Sequence, residues 1–204
     1  MGLPPRLVLA TKNLGKIREI LRICRGWPVE WLTYRPGSEP HDRPWPDVEE
    51  TGLTYSENAL KKARAVAGVF DTPAVADDSG IEVDALDGAP GPHSARFAGK
   101  EATDEQNLHL LIERLKAVPN AERTARYRCV AICAWPDGRT VLAEATCEGR
   151  LVLEPRGDGG FGYDPIFVPD GSARTMGELA PDEKDALSHR GKAFRQLGEL
   201  IESG

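Results

Sequence analysis

The sequence predicts an α/β fold, in which helices pack against a mixed β-sheet. Two observations indicate this class: strand and helix patterns alternate in the first half of the chain, and a long β-hairpin follows in the middle. The chain has 204 residues, enough for one large domain or for two small lobes that share one core. We expect a single domain that spans residues 1–204.

The first elements alternate between strand and helix. Residues 6–10 form an apolar run that predicts a short buried strand, and residues 16–25 carry apolar side chains at helical spacing. Residues 29–34 predict a second strand. Four prolines between positions 36 and 46 then predict an irregular loop.

Two capping boxes mark the next helices. Thr54 with Glu57 predicts the start of the second helix, and Thr103 with Gln106 predicts the start of the third. Between these helices, residues 73–76 predict a strand of small residues that ends at Asp77 and Asp78, and residues 81–86 continue in an extended conformation. We therefore expect both carboxylates where a strand gives way to a turn.

The second half of the chain begins with the hairpin. Residues 127–133 and 141–147 alternate in character around a turn at residues 136–138, which carries Asp-Gly. A glycine-rich loop covers residues 156–163, and residues 165–168 predict a short strand. A final helix is expected from about residue 188 to residue 202.

Composition limits the kinds of partner. The formal net charge is -6, which argues against a general nucleic-acid binder and against docking on an anionic membrane. No segment has the apolar length that crosses a bilayer, and the N-terminal residues do not resemble a signal peptide. We expect a cytoplasmic protein whose four cysteines are buried, reduced thiols.

The first polar cluster joins the first strand to the first helix. Exposed N–H groups at a helix start and two lysines form a plausible cradle for phosphate, although the Walker A spacing is absent. The alternative is an ordinary turn with solvated lysines. The cluster consists of Thr11, Lys12, Asn13, Leu14, Gly15 and Lys16.

The second cluster is acidic. Asp77 and Asp78 precede Ser79, and hard carboxylate oxygens suit Mg²⁺, which bridges phosphate oxygens. The alternative is a turn without chemistry. A weaker signal is Glu49 with Glu50, where one carboxylate could complete a metal site with Asp78.

Two further clusters lie near the C-terminus. In the glycine-rich loop, Phe161 and Tyr163 offer aromatic faces on which a base could stack. Lys184 is followed by His189 and Arg190, which we expect at the start of the last helix, where a cation is poorly placed for the helix dipole. The alternatives are a flexible surface loop and a solvated charged turn.

Together these motifs resemble one family, the noncanonical purine NTP pyrophosphatases, also called inosine triphosphate pyrophosphatases or Ham1-like proteins. The resemblance rests on an ordered series that spans nearly the whole chain: residues 9–16 (LATKNLGK), 49–59 (EETGLTYSENA), 76–80 (ADDSG), 88–91 (GAPG), 94–99 (SARFAG), 159–165 (GGFGYDP), 183–184 (EK) and 188–193 (SHRGKA).

The resemblance implies an elongated mixed sheet with two lobes around a deep cleft, and a homodimer. It implies Mg²⁺-dependent hydrolysis of ITP, dITP and XTP to the monophosphate and pyrophosphate. Asp78 would be the proton acceptor, and Glu49 and Asp78 would hold the metal. The substrate-binding residues that it implies are Thr11, Lys12, Asn13, Leu14, Gly15, Lys16, Ser79, Phe161, Gly162, Tyr163, Asp164, Lys184, His189 and Arg190.

One hypothesis concerns the choice of base. Hypoxanthine and xanthine carry an acceptor at O6 and a donor at N1, and adenine reverses both. We hypothesise that Arg190 donates to O6 while Asp164 accepts from N1–H, which would leave adenine with two mismatched partners.

Three other functions are consistent with parts of the sequence. One is a Maf-like pyrophosphatase for pyrimidine or modified nucleotides, and a second is a nucleotide-binding sensor that does not turn over its ligand. The third is a P-loop-type kinase, which the missing Walker spacing disfavours.

Overall fold

The computed structural model describes residues 2–37 and 43–204, and it confirms a mixed α/β fold. The strands are β1 (Arg6–Leu9), β2 (Glu30–Thr33), β3 (Ala74–Val83), β4 (Thr124–Ala134), β5 (Thr140–Leu151) and β6 (Phe167–Pro169). The helices are α1 (Leu14–Ile23), α2 (Tyr55–Phe70), α3 (Asp104–Leu115), α4 (Pro181–Leu187) and α5 (His189–Ser203).

The strands form one six-stranded sheet in the order β2-β1-β3-β4-β5-β6. β1 pairs in parallel with both β2 and β3, whereas β5 and β6 are antiparallel. Parallel pairs need a crossover, and here α1 and α2 supply the two crossovers that return the chain to either side of β1.

The chain divides into two compact units. Unit 1 contains the chain up to Asp78 together with Cys129–Ala145 and Arg190–Gly204, and unit 2 contains Ser79–Arg128 and Thr146–His189. β3, β4, β5 and α5 therefore each contribute residues to both units.

Unit 1 has a hydrophobic core on each face of its strands, because successive strand residues point to opposite faces. Leu7 and Leu9 of β1 pack in one core with residues of α1 and α5. Val8 of β1 lies in the other core, which contains the apolar stripe of α2. This double burial explains why residues 6–10 are an apolar run without alternation.

Unit 2 has one core that combines the hairpin strands, α3 and the segment around β6. Leu111 and Leu115 of α3 are fully buried there, and Phe167 of β6 is among its largest buried side chains. The unit is therefore held by its own apolar contacts as well as by the sheet.

Both predicted capping boxes are confirmed. Thr54 accepts from the backbone N–H of Glu57 and the Glu57 side chain accepts from Thr54, and the same reciprocal pair joins Thr103 to Gln106. The hairpin turn, with Gly138 at a φ of 93°, and the final helix also match the prediction.

Three features of the structure differ from the sequence predictions. β3 runs from Ala74 to Val83 without a break, so the expectation that a strand ends at Asp77 and Asp78 is wrong. The short helix α4 was not expected, and residues 164–166 form a 3₁₀ turn before β6 begins at Phe167. Residues 38–42 of the predicted proline-rich loop lie outside the described part of the chain.

None of the described helices has both the length and the apolar character that a membrane span requires.

Candidate functional site

The two adjacent aspartates of β3 point to opposite faces of the sheet. Asp77 lies on the same face of β3 as Val75, which belongs to the core with α1 and α5. Asp78 lies on the same face as Ala76, which belongs to the core with α2. Asp77 is fully buried and Asp78 is 4% exposed. Because the strand continues through them, the two carboxylates have separate surroundings and do not act as a neighbouring pair of ligands.

Asp77 lies within a buried row of alternating charges. Lys16 Nζ of α1 lies 3.0 Å from Asp77 Oδ2, and Arg190 Nε and Nη2 of α5 lie 3.3 Å from the same oxygen. Arg190 Nη1 reaches Glu19 Oε2 of α1 at 2.5 Å. The row therefore runs Glu19, Arg190, Asp77, Lys16, with two negative and two positive groups.

These ion pairs determine the charge states in the row. Burial opposes the charge of Asp77, but Lys16 and Arg190 together hold the pKa of Asp77 well below its usual range. Burial would also lower the pKa of Arg190, and the carboxylates of Asp77 and Glu19 raise it instead. Asp77 is therefore a carboxylate and Arg190 a cation at neutral pH, and Lys16 Nζ lies beside Asp77 at the N-terminal end of α1.

The position of Arg190 argues against the hypothesis that it reads the base. Arg190 is 2% exposed, and its guanidinium binds two buried carboxylates through three nitrogens. The physical reason is charge balance, since Glu19 and Asp77 would otherwise be buried without sufficient positive charge. Arg190 therefore orders Asp77, and through it Lys16.

Asp78 is held by two side chains of α2. Asn58 Nδ2 donates to Asp78 Oδ2 at 3.2 Å, and Lys62 Nζ lies 3.4 Å from Oδ1. Asn58 and Lys62 are four residues apart and hence on one face of the helix. Burial raises the pKa of Asp78, although Lys62 and Lys16 act in the opposite direction.

The same helix face orders the acidic segment that precedes α2. Lys62 Nζ lies 2.6 Å from Glu50 Oε1, and the side chain of Asn58 accepts from the backbone N–H of Gly52 at 2.8 Å. Glu50 thus shares a cation with Asp78, whereas Glu49 has an exposed side chain. The structure thus brings Glu50, the second of the two glutamates noted in the sequence, to Asp78 through Lys62.

The donor chemistry of this cluster fits a divalent cation. Two carboxylates, Glu50 and Asp78, converge on one positive charge at Lys62, and carboxylate oxygens are the ligands that Mg²⁺ favours. Among residues 2–37 and 43–204, no group of three acidic, histidine or cysteine side chains is arranged to hold a metal ion. A metal bound here would therefore take part of its coordination from substrate or water.

The turn between β1 and α1 is ordered by its own side chains. Asn13 caps α1 by accepting from the backbone N–H of Lys16 at 3.0 Å, and Thr11 accepts from the N–H of Asn13 at 3.2 Å. Lys12 instead pairs with the exposed Asp47 at 3.0 Å. Leu14 and Gly15 form the first turn of the helix, and Leu14 is 50% exposed.

A second cluster lies in unit 2 and centres on Asp164, which is 3% exposed. Lys184 Nζ lies 2.5 Å from Asp164 Oδ2, and the backbone N–H of Phe161 donates to the same oxygen at 2.8 Å. Lys184 Nζ also lies 5.3 Å from the centre of the Phe161 ring. Gly160 has a φ of +76°, and a Cβ there would collide with Asp164 Oδ2.

The remaining predicted residues of unit 2 differ in their surroundings. The ring of Tyr163 belongs to the core and its hydroxyl donates to the carbonyl of Ser94 at 2.7 Å, which argues against stacking on a base. The backbone N–H of Gly162 donates to Asp104 at 3.2 Å. His189 is 4% exposed, and Ser79 is partly buried within β3.

The sequence interpretation missed three residues of unit 1 that the structure brings to the candidate site: Glu19, Asn58 and Lys62. Each lies on the buried face of a helix that is otherwise apolar, such as Ala59 and Ala63 beside Asn58 and Lys62. A polar or charged residue within an apolar stripe is the signal that could have identified them, because such residues are rarely buried without a partner.

Comparison with known proteins shows the family to which the chain belongs. The sequence model of the Ham1 family matches residues 7–200. A dITP/XTP pyrophosphatase of Geobacillus kaustophilus is 47% identical over 198 residues, which is 96% of this chain and 94% of the relative. The protein of the same name from Streptomyces coelicolor is 48% identical over 196 residues, 96% of each chain.

Solved structures give the same result. A HAM1 protein from Coxiella burnetii superposes with a TM-score of 0.85 at 38% identity, covering 98% of this chain and 100% of that one. A nucleoside-triphosphatase, or dITP/XTP pyrophosphatase, from Mycobacterium abscessus has a TM-score of 0.73 at 39% identity, covering 94% of this chain and 98% of its own. With its family match, its full-length relatives and its shared fold, the chain belongs to the Ham1 family.

Proposed function

We propose that this protein hydrolyses noncanonical purine nucleoside triphosphates, namely dITP, ITP and XTP, to the monophosphate and pyrophosphate. Membership of the Ham1 family and the name dITP/XTP pyrophosphatase of its relatives support the proposal. The structural observation that carries it is Asp78, a buried carboxylate that shares a lysine with Glu50 and lies on the strand that also orders Lys16.

Phosphate binding is assigned to the start of α1. Lys16 supplies a cation that is 14% exposed in its side chain, and the first N–H groups of a ten-residue helix lie beside it. Thr11, Asn13, Leu14 and Gly15 contribute backbone or hydroxyl groups to the same turn. Lys12 is the weaker candidate, because it is already paired with Asp47 on the surface.

Metal binding is assigned to Asp78 and Glu50, with Glu49 as the neighbouring alternative. The ion would be Mg²⁺, which when bound neutralises charge on the phosphate oxygens and on the departing pyrophosphate. Lys62 pairs with both carboxylates and would supply a further positive charge beside the ion and the substrate phosphates.

Asp78 is assigned as the proton acceptor. Asn58 fixes one of its oxygens, which leaves Asp78 oriented while it accepts a proton from water. The water oxygen forms a bond to the α-phosphorus, and the bond from that phosphorus to the bridging oxygen breaks, so that pyrophosphate departs. Lys16 stabilises the negative charge that develops on the phosphate oxygens.

Base recognition is assigned to unit 2. Asp164 accepts from purine N1–H, while Lys184 donates to O6. Phe161, which is only partly buried, provides the face on which the base stacks. Adenine would place its amino group, a donor, against Lys184 and its unprotonated N1, an acceptor, against Asp164, so it would be rejected.

A nucleotide panel tests the proposal. Pyrophosphate release from dITP, XTP, dATP, dGTP, dTTP and UTP should be measured with Mg²⁺ and with EDTA. We expect release from dITP and XTP only when Mg²⁺ is present. Preference for dTTP or UTP would favour the Maf-like alternative, and release of orthophosphate would contradict the proposed bond cleavage.

A matched pair of variants tests the role of Asp78. Asp78→Asn should lower kcat for dITP by about 10²- to 10⁴-fold, because the proton acceptor is lost. Asp137→Asn, in the exposed hairpin turn, is the control and should retain wild-type turnover. If Asp78→Asn binds and hydrolyses dITP normally, the assignment is wrong; if the wild-type protein binds dITP without turnover, the protein is a sensor.

The homodimer, the single two-lobed domain and the cytoplasmic location remain predictions of the sequence. Light scattering coupled to size-exclusion chromatography would test the first.

A further inference from the structure

Tyr127 of β4 contacts Asp164, which the proposed function places at the purine, and His189, which the family resemblance places in the substrate site. Its ring stacks on that of His189 with a centroid distance of 4.6 Å and an interplanar angle of 8°. Its hydroxyl donates to Asp164 Oδ1 at 3.2 Å. The side chain is 7% exposed, so both contacts are shielded from water.

The hydrogen bond from Tyr127 completes the fixation of Asp164. The donors from Lys184 and from the backbone of Phe161 both reach Oδ2. A carboxylate held through one oxygen can still rotate about its Cβ–Cγ bond, whereas donors on both oxygens define the plane of the group. The Tyr127 hydroxyl, on Oδ1, therefore sets the direction in which Asp164 can accept a further hydrogen bond.

The ring of Tyr127 is itself held in place. It packs against Phe167 at a centroid distance of 4.7 Å and an interplanar angle of 58°, within the core of unit 2. Rigid support of this kind limits the freedom of His189, which lies parallel to the ring. One anchored side chain thus orients both an acceptor and an imidazole.

We propose that Tyr127 is a positioning residue for base discrimination, one that directs Asp164 toward the N1–H of 6-keto purines and holds His189 beside it. The inference rests on the proposed function, because it names the residue that orders its base-recognition cluster. Because Tyr127 acts through Asp164, its effect belongs to base binding and not to the chemical step.

The expected effect follows from the loss of a hydrogen bond to a charged group. In Tyr127→Phe the ring and its packing remain, and only the hydroxyl is removed. Asp164 then loses the donor on Oδ1, and we expect affinity for dIMP to fall about tenfold while affinity for dAMP stays unchanged. In turnover, KM for dITP should rise with kcat little changed, since base contacts act equally in the ground and transition states.

Binding of dIMP and dAMP, measured by isothermal titration calorimetry, tests the inference without requiring turnover. Tyr34→Phe is the matched control, because Tyr34 packs on Trp45 in unit 1 and its hydroxyl belongs to neither cluster. Thermal unfolding of each variant shows whether the fold is intact. Equal weakening of dIMP and dAMP by Tyr127→Phe would indicate a merely structural role and overturn the inference.

A double-mutant cycle separates a direct effect from one that passes through Asp164. If Tyr127 acts by orienting Asp164, Tyr127→Phe should have little further effect on dIMP affinity in an Asp164→Asn background. If the two substitutions instead lower dIMP affinity additively, Tyr127 does not act through Asp164 and the inference is overturned. If the wild-type protein binds dIMP and dAMP equally, the proposed function fails in its choice of base; if it prefers dIMP and Tyr127→Phe keeps that preference, the role of Tyr127 alone fails.

Discussion

The buried row of charges in unit 1 makes a quantitative prediction for Glu19→Gln. Glu19 is 6% exposed, and it binds an arginine that is 2% exposed at a distance of 2.5 Å. Removing one partner of a buried ion pair costs about 3–5 kcal/mol, and Arg190 retains Asp77, so we expect a loss near 3 kcal/mol. For a chain of this size, that loss corresponds to a decrease in Tm of about 6–12 °C.

The same structure provides a matched control in Glu30→Gln. Glu30 also binds an arginine, Arg6, at 2.8 Å, but the two side chains are 59% and 47% exposed. Exposed pairs contribute less than about 1 kcal/mol, so the Tm should change by no more than about 4 °C. Thermal unfolding followed by circular dichroism compares the two variants. Equal losses in Tm would refute the reasoning, because burial would then make no difference to the pair.

Three further predictions concern the two clusters and the cysteines. Lys16→Ala should raise KM for dITP and XTP alike by about tenfold or more, because it removes a charged contact to phosphate; a change confined to one base would contradict this role. Gly160→Ala should abolish dIMP binding in calorimetry, since its Cβ would collide with Asp164 at a φ of +76°, and normal affinity would show that the loop adapts. Burial raises the pKa of Cys133 to about 12, so the native protein should react slowly with Ellman's reagent at pH 8, and rapid reaction before unfolding would show an accessible thiol.

The raised pKa of Cys133 also makes the free energy of unfolding depend on pH. The folded protein holds the thiol proton of Cys133 more tightly than the unfolded chain does. The stabilisation that results is complete below the unfolded pKa of 9.0 and is lost as the pH rises toward about 12. The free energy of unfolding should therefore decrease less steeply across that range in Cys133→Ala than in the wild type, as measured by urea unfolding.

The helix starts and the hairpin could be predicted because their signals are local. A capping box requires only four consecutive residues, and Thr54 with Glu57 satisfies it whatever surrounds the helix. The turn that contains Asp137 and Gly138 is determined in the same way, by the backbone conformation that its residues allow. The family resemblance likewise came from ordered motifs, and the match over residues 7–200 confirms it.

The path of β3 could not be predicted because its polar residues are stabilised by distant partners. Asp77 and Asp78 have low strand propensity and resemble a turn together with the Ser-Gly that follows. Arg190 lies 113 residues away from Asp77 in sequence, and its charge is part of what permits a buried carboxylate there. The ion pair that argues against Arg190 as a base-reading residue was hidden for the same reason, since the position of Arg190 in the sequence does not reveal Glu19.

The alternation of β3 has a consequence for how this strand can change. Two consecutive residues of this strand are aspartates with different surroundings: Asp77 lies between the cations Lys16 and Arg190, and Asp78 faces α2. Inserting or deleting a single residue upstream within the strand would exchange these environments and place each carboxylate among the wrong neighbours. Substitutions can therefore adjust either position separately, but the number of residues between the start of β3 and the two aspartates must stay the same.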